Sequence, residues 1–111
     1  MTPSDIESMT LKELRATRRS MFSAQWTLAF QGADDETKAE AGKQMLAVNH
    51  AIVVMENKEL SEIRDQLVAN EADLVAGTQS VSAAFDKIGD VKGALSAITG
   101  LLGTVGKVVA L

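Results

Sequence analysis

From Asp34 onward an apolar residue recurs at every seventh position: Ala39, Leu46, Val53, Leu60, Leu67, Leu74, Val81, Ile88, Leu95, Leu102 and Val109. A spacing of seven held over this distance keeps one stripe of an α-helix turned toward a partner and gives a left-handed seam. The second stripe that such a seam needs is less regular. Asn49, Glu56, Asn70 and Gly77 interrupt it around Ile63, and from Ala84 it is filled again by Val91, Ile98 and Val105. Polar residues in a seam either fix register or mark places where the helix turns or breaks, and the pattern leaves both open. A single helix from Asp34 to Leu111 would be roughly 115 Å long at 1.5 Å per residue. It must therefore project into an oligomer, or break near Gly77 or Gly89-Asp90 and fold back.

The chain before Asp34 also reads as helix. Thr2-Pro3-Ser4-Asp5 sets a capping residue ahead of a proline, which a first helical turn tolerates because its missing N–H had no partner there. Residues 1–9 are thus expected to form a short capping turn. Thr10-Leu11-Lys12-Glu13 has the form of a capping box, so the first full helix is placed from Thr10. Leu14, Met21, Phe22, Trp26, Leu28, Ala29 and Phe30 follow a helical period. Gly32 fits the residue after a helix, and Asp34 fits the next N-cap, with Asp35 and Glu36 favoured by the helix dipole. So short a connection makes residues 10–31 and 34–75 an antiparallel hairpin. Strand signals are nearly absent: no Asn-Gly or Asp-Gly turn separates alternating runs.

The C-terminal segment differs in kind. Five of the eight glycines (Gly89, Gly93, Gly100, Gly103 and Gly106) lie within it, and a solvated helix would lose about 4–5 kcal/mol relative to alanine at those sites. Its apolar residues nonetheless keep helical spacing, so contact must supply the stability that propensity does not. Small residues every fourth position, such as Gly89, Gly93 and Ala97, would allow close helix packing. The alternative is a membrane surface, since Lys92 and Lys107 flank an uncharged stretch too short to span a bilayer but suited to an interface.

Composition narrows the chemistry. The 111 residues include no Cys and one His, which excludes a disulfide scaffold, thiolate catalysis and cysteine-built zinc sites. The net charge of −4 argues against a dedicated nucleic-acid binder. Charge is uneven: residues 10–30 carry four bases and one acid, whereas residues 34–75 carry ten acids and four bases. The simplest account is a match between a basic first helix and an acidic second one. A grip on an anion by Arg15, Arg18 and Arg19 is the alternative. No motif for phosphate cradling, nucleophilic catalysis or metal binding occurs. His50 is expected at a packed boundary, and Trp26 with Phe30 in the core against Met45, Val48, Ile52 and Met55. The N-terminus lacks the basic and apolar regions of a secretory signal, so an intracellular, soluble protein is expected, or one peripheral to a membrane.

Together these readings predict an all-α chain: a capping turn (1–9), a helical hairpin (10–75) and an apolar, glycine-rich helical arm (76–111), joined into an oligomeric bundle or coiled coil. The expected function is that of a non-enzymatic, homo-oligomeric interaction or assembly protein that needs no cofactor and binds a further protein partner. Its self-association seam is assigned to Val81, Ile88, Val91, Leu95, Ile98, Leu102, Val105 and Val109. Arg15, Arg18 and Arg19 are assigned as anion or partner contacts. A membrane-active amphipathic arm and an acidic inhibitor of a nucleic-acid- or nucleotide-handling complex are the alternatives.

Overall fold

The computed structural model describes residues 1–86 and 90–111. Among them lie six helices and no strand: α1 (Pro3–Ser20), α2 (Ala24–Gln31), α3 (Asp35–Glu56), α4 (Leu60–Ala69), α5 (Glu71–Asp86) and α6 (Val91–Val108). The all-α expectation holds. Of the expected helix boundaries, those at Gly32 and Asp34 hold and the others fall elsewhere.

Helix α1 starts at Pro3, with no separate turn before it. Its capping box is Thr2 with Asp5: the Asp5 N–H donates to Thr2 Oγ1 (3.1 Å) and the Thr2 N–H to Asp5 Oδ2 (3.0 Å). Thr10, expected to be the cap, is instead buried inside α1, where its hydroxyl donates to the Ile6 carbonyl at 2.8 Å. A threonine can satisfy itself against its own helix in this way and so enter a core. The expected helix over 10–31 is broken at Met21–Ser23, where Ser23 caps α2 by accepting from the Trp26 N–H. Asp34 caps α3 as expected, accepting from the Thr37 N–H at 2.7 Å.

The long helix does not exist. It stops at Asn57, whose amide donates back to the Val53 carbonyl (2.8 Å), and again at Asn70, which does the same to Gln66 (2.8 Å). An asparagine that bonds its own preceding turn competes with the helical ladder. Of the interrupting seam residues, Asn70 is a break and Glu56 ends α3, whereas Asn49 lies within α3. Gly77, a candidate break, lies within α5 and faces Leu101, whose Cδ1 would stand 3.1 Å from an added Cβ. Its small size lets α5 and α6 approach closely. At the other candidate break, Gly89-Asp90, Gly89 lies outside the described residues, and Asp90 is the N-cap of α6, accepting from the Lys92 N–H at 3.0 Å.

Four helices make the body. α1 packs on α3 and α5, and α6 packs on the same two, so α1 and α6 stand diagonally opposed. The cross-links give directions. Arg15 reaches Glu56 and Arg18 reaches Asn49, so α1 and α3 are antiparallel. Lys92 reaches Asp34 and Gln44 reaches Thr99, so α3 and α6 are parallel. α4 closes one end, bridging α1 and α6 with Ile63 and Leu67 buried. α2 lies toward the other end, where the Trp26 and Phe85 rings stand 5.6 Å apart at 42°. The longest dimension is 44 Å, far short of an extended arm.

Candidate interaction surface

The core is drawn from the stripe that the sequence suggested for self-association. Val81, Val91, Leu95, Ile98, Val105 and Val109 are all buried within the single chain, and Leu102 is half-buried beside them. Ile88 lies outside the described residues. The assigned seam is thus closed intramolecularly, against α3, α4 and α5. The physical reason is the set of breaks at Asn57, at Asn70 and between α5 and α6, where Asp90 caps α6, which lets the chain return on itself and supply its own partner helices. α6 keeps its glycines on the outside: at Gly100, Gly103 and Gly106 an added Cβ would meet nothing within 4 Å. Those glycines do not mediate close packing within the chain. The apolar face on which the membrane alternative relied is turned into the core, and no helix among the described residues is long and apolar enough to cross a membrane.

Large apolar side chains are exposed at Phe22, Leu28 and Val68 as well as on α3, where Leu46 and Val53 lie in line along the helix. Thr37, Ala41, Val48, Ala51, Ile52 and Met55 form its buried face. At about 100° per residue, Leu46 projects roughly 120–180° away from all six. Val53 and Ala39, seven residues either side, fall within about 20° of Leu46 by the same angle. Leu46 is 74% exposed and Val53 48% exposed. α3 therefore carries a second apolar stripe, opposite the first, made of three members of the seven-residue series. Its neighbours around the helix are Gly42 and His50, both exposed. His50 is accordingly a surface residue rather than a packed one.

The cationic residues of α1 flank this stripe at its C-terminal half. The Arg15 guanidinium stands 3.3 Å from Glu56 Oε1, and Arg18 donates to Asn49 Oδ1 at 3.1 Å. Of the expected match between the basic first helix and the acidic second segment, one ion pair, Arg15–Glu56, forms among the described residues. Arg19 is exposed and makes no ion pair among the described residues. The N-terminal half of the stripe is bordered by acids, Asp35, Glu36 and Glu40, all exposed. The Asp34 carboxyl at that end is held below the ordinary carboxylate range by hydrogen bonding from the Thr37 side chain and then its backbone N–H. Glu13 on α1 is pushed the other way, by partial burial first and by Asp86 second.

Neither the outward stripe nor its polarity was assigned from sequence. Its signal was present in Ala39, Leu46 and Val53, but it was merged with the inward-facing members of the same repeat. The chain matches no known family, no curated protein and no solved structure.

Proposed function

We propose that this chain is a non-enzymatic interaction protein that self-associates through the outer face of α3. The observation that carries this reading is the placement of Leu46 and Val53 on the face of α3 opposite the core, at heptad spacing. Large apolar side chains on a helix contact a partner helix most readily at this spacing. The surface is also unevenly charged: the acids Asp35, Glu36 and Glu40 border its start, ahead of the exposed Lys43, and Arg15, paired with Glu56, and Arg18 flank its end. Two copies related by a two-fold axis near Leu46 would run antiparallel, setting the acidic start of each α3 against the arginine-flanked end of the other. Such an isologous contact is self-complementary in both shape and charge.

The test is solution mass across a range of protein concentrations, by light scattering or sedimentation, for the natural chain and a Leu46→Glu/Val53→Glu variant. The natural chain is expected to approach twice the monomer mass as concentration rises, and the variant to stay at monomer mass. Both positions are exposed, so the variant should keep its helical signal. A natural chain that stays monomeric throughout, or a variant that associates as well as the natural chain, would overturn the proposal.

A further inference from the structure

Between α2 and α3 lies a cleft of about 310 Å³, at the small end of the range typical of sites for small organic molecules. Its walls include Met21, Trp26, Phe30 and Met45. Trp26 is held firmly, because it is almost fully buried and its ring packs on Phe85 behind it. The two methionines give an adaptable, polarizable lining that suits aromatic contact.

Two further features point to the occupant. Gly42 borders the cleft, and a Cβ built there would meet nothing within 4 Å. Without a side chain at this position the cleft is open along that edge of α3. Lys38 is the only charged residue in the lining, in a chain whose net charge is −4. Its ammonium lies 5.8 Å from the Phe30 ring centroid and makes no ion pair among the described residues. An apolar recess with a single cation beside an aromatic face is complementary to a molecule with an apolar body and one negative group.

We propose that this cleft binds a small aromatic carboxylate, its ring between Phe30 and Met45 and its carboxylate on the Lys38 ammonium. The site is built within one chain and goes beyond the self-association proposed above.

The probe is 2-naphthoate, titrated into the full chain labelled with carbon-13 at its methionine methyls. Shifts are expected at Met21 and Met45 and not at Met9 or Met55, which lie elsewhere in the fold. The neutral analogue 2-naphthalenemethanol should bind about three- to fivefold more weakly, the worth of one half-exposed ion pair, and Lys38→Met should erase that preference. Gly42→Leu should block the cleft and abolish binding while keeping or raising thermal stability, since leucine is the better helix former. The Leu46→Glu/Val53→Glu chain should bind 2-naphthoate as the natural chain does. Shifts at no methionine or at all of them, equal binding of acid and alcohol, or undiminished binding by a folded Gly42→Leu variant would each overturn the proposal.

Discussion

Replacing Gly100, Gly103 and Gly106 together by alanine should stabilise the protein, and the amount follows from what each glycine touches. All three lie in α6, and an added Cβ at each meets nothing within 4 Å. Helix propensity then acts alone, at about 0.8–1 kcal/mol per site in a helix interior. Gly106 stands in the last turn and contributes less, so the triple variant should gain about 2–3 kcal/mol. At about 2.1 cal/mol/K of unfolding entropy per residue, that corresponds to a rise in Tm of about 10 °C. The control is Gly77→Ala, in the interior of α5. Its new Cβ would stand 3.1 Å from Leu101 Cδ1 and 3.5 Å from Leu101 Cα. The Leu101 Cα distance is ordinary van der Waals contact; the tight one is to the end of the Leu101 side chain, which is buried and must shift by a few tenths of an ångström against its core neighbours. Overpacking of about 1–3 kcal/mol outweighs the propensity gain, and Gly77→Ala should lose about 1 kcal/mol. Chemical denaturation with a fixed m-value, beside calorimetry, measures both. A triple variant no more stable than the natural chain, or a Gly77→Ala variant stabilised as much as the outer positions, would refute the assignment of these faces.

Other outcomes follow from the caps, the core and the carboxylates. Thr2→Ala should cost about 1 kcal/mol by removing an N-cap, whereas Thr10→Val, which loses only a bond to its own helix, should cost less than about 0.5 kcal/mol; paired denaturation curves distinguish the two. Leu67→Ala should cost about 2–5 kcal/mol, because Leu67 is fully buried where α4 closes the bundle. Asp5 and Asp34 have folded pKa values held down by hydrogen bonds at their caps, chiefly the Thr2 backbone for Asp5 and the Thr37 side chain for Asp34. Their contribution is present above the unfolded carboxylate range and lost as pH falls through the folded values; Asp34→Asn should keep the cap and remove that part of the acid sensitivity in a melting series. Glu13 has the opposite sign. Its folded pKa is raised, chiefly by burial, so stability falls as pH rises from the ordinary glutamate range through the folded value. Glu13→Gln should be the more stable chain at pH 7, by less than about 1 kcal/mol given its exposure, and the difference should vanish on acidification.

What could be read from the chain depended on whether a local interaction fixed it. Asp34 as a helix start was legible because its carboxylate bonds a backbone N–H three residues on, a contact that spacing alone specifies. Thr10 looked like an equally good cap, but nothing local distinguishes a threonine that caps from one that bonds its own helix. Burial against the rest of the bundle decided that, and burial is a tertiary property. The breaks at Asn57 and Asn70 were half legible. Asn70 already stood out as a polar interruption, yet the same residue in a continuous seam would have specified register. The Met21–Ser23 break carried no glycine or proline, and only the Ser23 hydroxyl marks it. Trp26 was correctly placed in the core, while its ring partner Phe85 comes from the far end of the chain and left no mark in the local pattern.

The seven-residue repeat itself shows why periodicity assigns a stripe but not its partner. Its members from Leu67 to Val109 point inward or lie at the core's edge among the described residues, whereas Ala39, Leu46 and Val53 point outward. The repeat is continuous in sequence, but the breaks at Asn57 and Asn70 reorient the helices on either side, so one arithmetic series serves two faces. The inward members need no second copy, because α3, α4 and α5 already cover α6. The outward members have no such cover among the described residues, and isolated exposed apolar residues alone would not call for one. What separates them from ordinary surface residues is their alignment on one helix, opposite its buried face, between an acidic border and a cationic one. The proposed self-association therefore belongs to the part of the repeat that the fold leaves over, which is why Leu46 and Val53 are the positions to charge, and Leu95 and Leu102 are not: a charge at the buried Leu95 is expected to unfold the chain before it can report on assembly.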